Sequence, residues 1–435
     1  MTADDEPFSS DNRGEKSSRP SGLRNVFALG LVSFFTDFST EMVLGILPLF
    51  VVNNLGASRA LLGTMEGSAE LISYTSRMIS GSLSDHFHKR KIFVLIGYGL
   101  STISKPFLAF STSWIDAFAV RAVDRIGKGI RTAPRDALIA DSVSTSISGK
   151  AFGIHRTIDQ LGAILGPIAA FMIIQVLDIQ WVFLFSLIPG AIAVIILIFY
   201  VKEVMVRRNG TDEDEDDADR LSTTSSSHKQ RKRIPPILTR TMTLVKVNRP
   251  FLILVIISGV FSLGAFNFSF VLLKSQDFGI SANDIPLVYA VINVTHTIIG
   301  IPMGIFADRV GKEKALIIGF SIFVVSLLLM IGLESNAYFF AYMIAAIFGL
   351  YIGTIETVQR AVIPGYVSPE MRGTAFGLYY VVIGFGFFVC NILFGFLWDA
   401  FGFNVAAIYS LIFSIGAIFG MLLFSRRFVM TVKPL

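Results

Sequence analysis

The stretches GSLSDHFHKRK (81–91) and GIFADRVGKEK (304–314) decide how this chain folds. Each closes one long apolar segment and opens another, and each sets a Gly-x-x-x-Asp turn before a run of basic residues. The copies lie about half the chain apart, and internal repetition on that scale signals two units of common origin. A second pair agrees: Ala151-Phe152-Gly153 and Ala375-Phe376-Gly377 open corresponding apolar segments at nearly the same offset.

Outward from these loops the chain is mostly apolar. Of its 435 residues 53% are hydrophobic and 16% charged, with mean hydropathy +0.65, whereas soluble domains carry about 25% charged residues. About 20 apolar residues cross a ~30 Å hydrocarbon layer. Segments near 25–52, 59–81, 91–112, 114–141, 150–176 and 181–201 pass that test, as do 250–274, 284–307, 314–334, 337–366, 372–399 and 403–425. The expected fold is an all-α membrane protein of 12 transmembrane helices in two pseudo-symmetric six-helix bundles, 24–201 and 250–426. The 40 Phe and 37 Gly suit helices packed closely in lipid. Basic residues gather in the loops after spans 2, 4, 6, 8 and 10, which places both termini in the cytoplasm. That topology explains the net charge of +5 better than nucleic-acid binding would.

Residues 1–23 and 427–435 read as cytoplasmic tails, the first disordered and lacking the basic-then-apolar order of a cleavable signal. Hydrophobicity collapses over 202–249, where DEDEDDAD (212–219) and HKQRKR (228–233) predict a flexible cytoplasmic linker. The single cysteine, Cys390, excludes an internal disulfide and a cysteine metal cage. Neither a Gly-x-x-x-x-Gly-Lys-Ser/Thr phosphate loop nor a His-Glu-x-x-His helix occurs, so no enzymatic activity, cofactor or metal is expected.

Ionisable residues at bilayer depth are costly and mark pathways or internal pairs. Span 1 carries Asp37 and Glu41 one turn apart, and span 2 carries Glu66, Glu70 and nearby Arg77. In span 4, Arg121, Asp124, Arg125, Lys128, Arg131, Arg135 and Asp136 fall within a sector of roughly 140° at 100° per residue, which cannot face lipid. Glu41, Glu70 and Arg125 each lie on the order of 16 Å from the outer end of their spans, near the midplane. Arg131 and Asp159 share a level nearer the cytoplasm. A carboxylate beside a movable cation changes proton affinity as the cation moves. Asp37, Glu41, Glu70, Arg125 and Asp159 are therefore proton-coupling candidates, with salt bridges that hold helices in register as the alternative role. Lys128, Arg131, Asn267, His296 and Glu356 are candidate substrate contacts, against ordinary interhelical hydrogen bonding or a local Glu356–Arg360 pair.

The paired loops, two sets of six spans and long central linker resemble the major facilitator superfamily over essentially 24–426. The C-terminal copy, with Gly304, Asp308, Arg309, Gly311 and Lys312, is close to that family's loop signature. The N-terminal copy keeps Gly81, Asp85, Lys89 and Arg90, but has His86 and His88 where the family has Arg and Gly. The resemblance implies a gating role for both. DRIGKGIRTAP (124–134) is similar to the family's fourth-span motif, whose Arg, here Arg125, is linked to proton coupling. LGAILGPIAA (161–170) resembles the antiporter motif through Gly162, Gly166 and Pro167, with Ala169 and Ala170 replacing its closing glycines. The resemblance implies a monomeric secondary transporter in the cell (plasma or inner) membrane, moving a small organic solute by proton-coupled antiport, in the efflux direction. Substrate, protons and the lipid bilayer would be its partners. Proton-coupled uptake of an organic anion or a metal-chelate complex is the alternative, and a receptor or scaffold of the same fold is the non-transport reading.

Overall fold

The computed structural model describes residues 20–87, 89–144, 147–203, 248–333, 338–368 and 371–429. Most of the expected tails and linker, and His88 of the first loop, lie outside the described residues. The described chain forms α1 (Pro20–Leu44), α2 (Arg59–Phe87), α3 (Arg90–Ser104), α4 (Trp114–Ser142), α5 (Ser148–Ile174), α6 (Ile179–Phe185) and α7 (Leu187–Tyr200). The second half contains α8 (Arg249–Ser262), α9 (Phe268–Asp277), α10 (Ile285–Val310), α11 (Lys312–Gly332), α12 (Tyr338–Val362), α13 (Arg372–Phe401) and α14 (Phe403–Phe424). With α6–α7 and α8–α9 each making one interrupted crossing, these give twelve spans, six per half. The chain is a multi-pass membrane protein.

Nine described helices are long and apolar enough to cross a bilayer on composition alone. The other three spans fail that test for identifiable reasons. Two are α2 and α4, the charge-bearing helices. The third is the α8–α9 crossing, expected as a continuous helix over 250–274 but broken between Ser262 and Phe268. Asn267 caps the restart, its side chain accepting from the Ser269 amide at 2.9 Å, while its own amide donates to Asn391 Oδ1 at 2.9 Å. These bonds satisfy backbone groups that a break would otherwise strand at membrane depth.

The halves meet along two helix pairs, α2 with α13 and α5 with α10. These are spans 2–11 and 5–8, pairs that interchange when each span is exchanged for its counterpart six spans away. The loop motifs obey the same symmetry. Gly81 faces Ala133 of span 4 and Gly304 faces Thr357 of span 10. Gly311 adopts φ 108 to link α10 to α11, a conformation that a side chain would strain.

Small residues set the closest approaches. A Cβ on Gly162 would lie 2.2 Å from the Phe34 carbonyl oxygen, and one on Gly166 2.6 Å from that of Phe38. The antiporter-like glycines therefore seat α5 on α1, within the N-terminal half. Gly63 and Gly395 do the same between halves: an added Cβ would come within 2.0 Å of the Asn391 oxygen or 2.3 Å of the Arg59 oxygen. Large exposed side chains such as Phe107, Phe199, Ile301 and Phe339 cover the outer surface, as lipid contact requires.

Gly162→Leu should lower the melting temperature in detergent by the equivalent of about 1–3 kcal/mol, the usual cost of overpacking. Gly153→Ala, on the same helix with nothing within 4 Å of its added Cβ, should leave it unchanged or raise it. Equal melting of the two variants would contradict the α1–α5 backbone contact.

Candidate functional site

A cavity of about 560 Å³ lies between the halves. Its two walls differ in kind. The N-terminal half contributes Asp37, Glu41, Glu70, Arg125, Lys128, Arg131, Arg135 and Asp159, whereas the C-terminal half contributes nine Phe and Tyr rings with Glu356, Arg360 and His296 as its charged or titratable groups. At the end away from the chain termini the halves are closed. Arg59 pairs with Asp399 at 3.4 Å and lies 4.7 Å over the Trp398 ring, the Ala60 amide donates to Asp399 at 2.9 Å, and Asn53 meets Gln276 at 3.3 Å. Toward the terminal end the lining residues are open: Arg156 is 44% exposed and Arg360 57%.

The stripe on α4 faces inward, as its periodicity requires. Arg121, Asp124, Arg125 and Arg131 are all buried. Arg121 grips Glu66 with two hydrogen bonds, at 3.1 and 2.8 Å, and reaches Asp124 at 3.2 Å. Ser101 donates to the other Asp124 oxygen at 2.5 Å. Arg125 is left with one approach, Nε to Asp124 at 3.4 Å, and its Nε and Nη2 have no hydrogen-bond acceptor. The matched depth of Glu41, Glu70 and Arg125 thus brings all three to one cavity without pairing either glutamate to that arginine. Glu41 instead accepts from Tyr289 of the opposite half at 2.5 Å. Among the described residues neither Glu70 nor Lys128 has an ion-pair partner within 4.0 Å, although the two are electrostatic neighbours.

Arg131 and Asp159 do not pair with each other. Arg131 lies 3.9 Å from Asp37 and 4.5 Å from the Tyr98 ring centre. Asp159 is held by Arg156 at 3.5 Å, one turn earlier on α5. The Asp37 and Asp159 carboxyls are electrostatic neighbours across the α1–α5 contact, and Asp159 Oδ1 has no hydrogen-bond partner. Arg156 also reaches Glu356 in the opposite half at 3.4 Å, where Arg360 (3.3 Å) and His296 (3.7 Å) converge. The expected Glu356–Arg360 pair is therefore one edge of a larger cluster. Asn267 lines the cavity but spends its side-chain oxygen as a helix cap.

The loop residues separate. Asp308, Arg309 and Lys89 are exposed, Lys312 is half-buried, and the side chain of Asp85 lies outside the described residues. Arg90 is engaged within its own half by Asp141, and its amide is capped by Glu203 at 3.1 Å. Pro167 is buried within an unbroken α5.

Several residues escaped sequence reasoning. Lys105 is 2% exposed and donates to Thr40 at 3.0 Å. A lone lysine inside an apolar span, followed by Pro106, was a readable signal. Arg156, near the start of span 5, is a further charge that the spacing argument did not single out. Nothing in the sequence pointed to Tyr289 reaching across to Glu41.

The sequence matches the Major Facilitator Superfamily profile over residues 29–291 and 252–434. An uncharacterised MFS-type transporter of Methanocaldococcus jannaschii is 31% identical over 388 residues, covering 86% of this chain and 88% of the relative. A bacterial homologue of the human lysosomal transporter Spinster shares the fold with TM-score 0.72 at 13% identity, covering 96% of this chain and 99% of that one. A POT family transporter crystallised with 5-aminolevulinic acid does so at TM-score 0.73 and 14% identity, over 94% and 97% of the two chains. Twelve spans in two related halves around a polar central cavity, with matches along the whole membrane domain, make the chain a member of the major facilitator superfamily, a membrane transporter of small molecules.

Proposed function

We propose that this protein is a proton-coupled secondary transporter of the cell membrane that exports a small organic solute by alternating access. The observation that carries the coupling is the Asp37–Asp159 pair. Two neighbouring acids in a low-dielectric site do not both ionise at modest cost, and Asp159 Oδ1 lacks a donor that a proton on Asp37 could supply. Arg131 and Arg156 flank the pair at 3.9 and 3.5 Å. Arg156 is also the cation shared with Glu356 of the other half, so relative movement of the halves would change the charge around Asp159 and release or recruit the proton.

The basic loops support a cytoplasmic location for the terminal end, and on that reading the cavity opens inward. The direction of transport rests on the antiporter-like sequence around Gly162, Gly166 and Pro167. The exposed Asp308 fits a loop acid that finds partners only when the cytoplasmic side closes. In inside-out vesicles, antiport predicts proton movement opposite to cargo, and co-movement would instead support uptake.

The coupling can be read without a known cargo. Cys390 is fully buried, so a cysteine introduced as Gln359→Cys, on the cavity wall near its cytoplasmic mouth, should dominate maleimide labelling. Labelling should vary with pH in the parent, and Asp37→Asn or Asp159→Asn should remove most of that variation while leaving the protein folded. Unaltered pH dependence in both variants would reject the assignment.

Asp308→Asn in the same background should raise labelling at position 359 several-fold by favouring the inward-open form. Unchanged labelling would remove Asp308 from the gate.

A further inference from the structure

We infer that the cargo is an organic anion with a flat apolar body, its headgroup held by Arg125 and Lys128 and its body laid against Phe268 and Tyr289. The inference rests on the central cavity being the transport site and extends that reading to the chemistry of what is carried.

The first ground is unfilled hydrogen-bonding capacity. A buried guanidinium normally finds acceptors for its donors, and each one missed is costly. Arg125 is 2% exposed, yet Nε and Nη2 have no acceptor. Three of the nearby acids are already committed, whereas Glu70, a neighbour of Lys128, forms no ion pair among the described residues. Glu66 gives both oxygens to Arg121, and Asp124 is shared between Arg121 and Ser101. Glu41 is bound by Tyr289. One turn further along α4, Lys128 lacks an ion-pair partner among the described residues, and beyond it Arg131 Nη1 has no acceptor. All three cations line the cavity. A carboxylate or phosphate entering there would supply the missing acceptors, and charge-assisted bonds of that kind are strong.

The second ground is the opposing wall. Phe268 stacks on Tyr289 with ring centres 4.5 Å apart, and the Tyr289 hydroxyl reaches Glu41 on the charged side. Tyr289 is also an electrostatic neighbour of Arg125, so the aromatic pair and that cation border the same cavity. Phe268 and Phe387 are half-buried and line the cavity, leaving ring surface for a ligand. A space of about 560 Å³ accommodates a solute of two or three fused rings. A cation of the same shape would meet Arg125 and Lys128 as like charges.

The test uses the full chain in detergent at fixed pH with a shape-matched series. The probes are 2-naphthoate, 2-naphthyl phosphate, 2-naphthalenemethanol, 2-naphthylmethylammonium and acetate, scored by saturable thermal stabilisation. The acid or the phosphate ester should bind at least tenfold more tightly than the alcohol, the ammonium compound and acetate. Preference for the ester identifies the headgroup as a phosphate; preference for the acid identifies a carboxylate. Lys128→Gln should weaken binding of the preferred anion about tenfold, and Phe268→Ala, which removes no charge, should do so too. Tighter binding of the ammonium compound, binding of the alcohol equal to the anions, or affinity untouched by either substitution would overturn the inference. A failed series with pH-dependent labelling intact rejects the cargo class alone. A successful series with that labelling absent rejects the proton coupling alone.

Discussion

The cost of charge in a low-dielectric interior governs this structure. Span 4 carries five basic residues between Arg121 and Arg135, and no orientation of that helix in lipid is tolerable. The rest of the N-terminal half is arranged around it: α2 brings Glu66, α3 brings Ser101, and α1 brings Asp37. Removing one member of such a buried set costs about 3–5 kcal/mol, because the partner keeps its charge. Pairing is incomplete where the stripe meets the cavity, at Arg125 and Arg131.

Much of the architecture was legible because it follows from one-dimensional rules. Apolar run length gave the spans, and the repeated loop gave the duplication. The inward turn of the α4 stripe followed from a 3.6-residue period. Two things failed to show in the pattern. The break at 263–267 depends on Asn391, more than a hundred residues away, completing the hydrogen bonding of Asn267. The choice of Arg121 over Arg125 as the partner of Glu66 depends on side-chain direction, and two positions one turn apart on the same face cannot be ranked by depth alone. The contacts of Tyr289 with Glu41 and Arg156 with Glu356 join separate halves, and a single chain read in order carries no record of such meetings.

The duplication has been put to unequal use. Both halves keep the same span order and the same glycine-to-span contact beneath their loop motifs. The first half has nonetheless accumulated the ionisable groups and the second the rings. Most of the cavity's charges thus lie on one half, with the Glu356, Arg360 and His296 cluster as the second half's share.

The backbone contact of α2 with α13 at Gly63 and Gly395 has a mechanical consequence. At those two glycines no side chain separates the helices, so a rocking of the halves would pivot there, while the Tyr74–Tyr380 ring stack further along α2 would slide. From Gly63 to Phe87 is 24 residues of α2, a lever of about 36 Å. A tilt of about 10° at the fulcrum carries the far end by about 6 Å at that rise per residue. A displacement of that size is comparable to the width of a flat aromatic solute, so a modest rotation is enough to open or shut the mouth of the cavity.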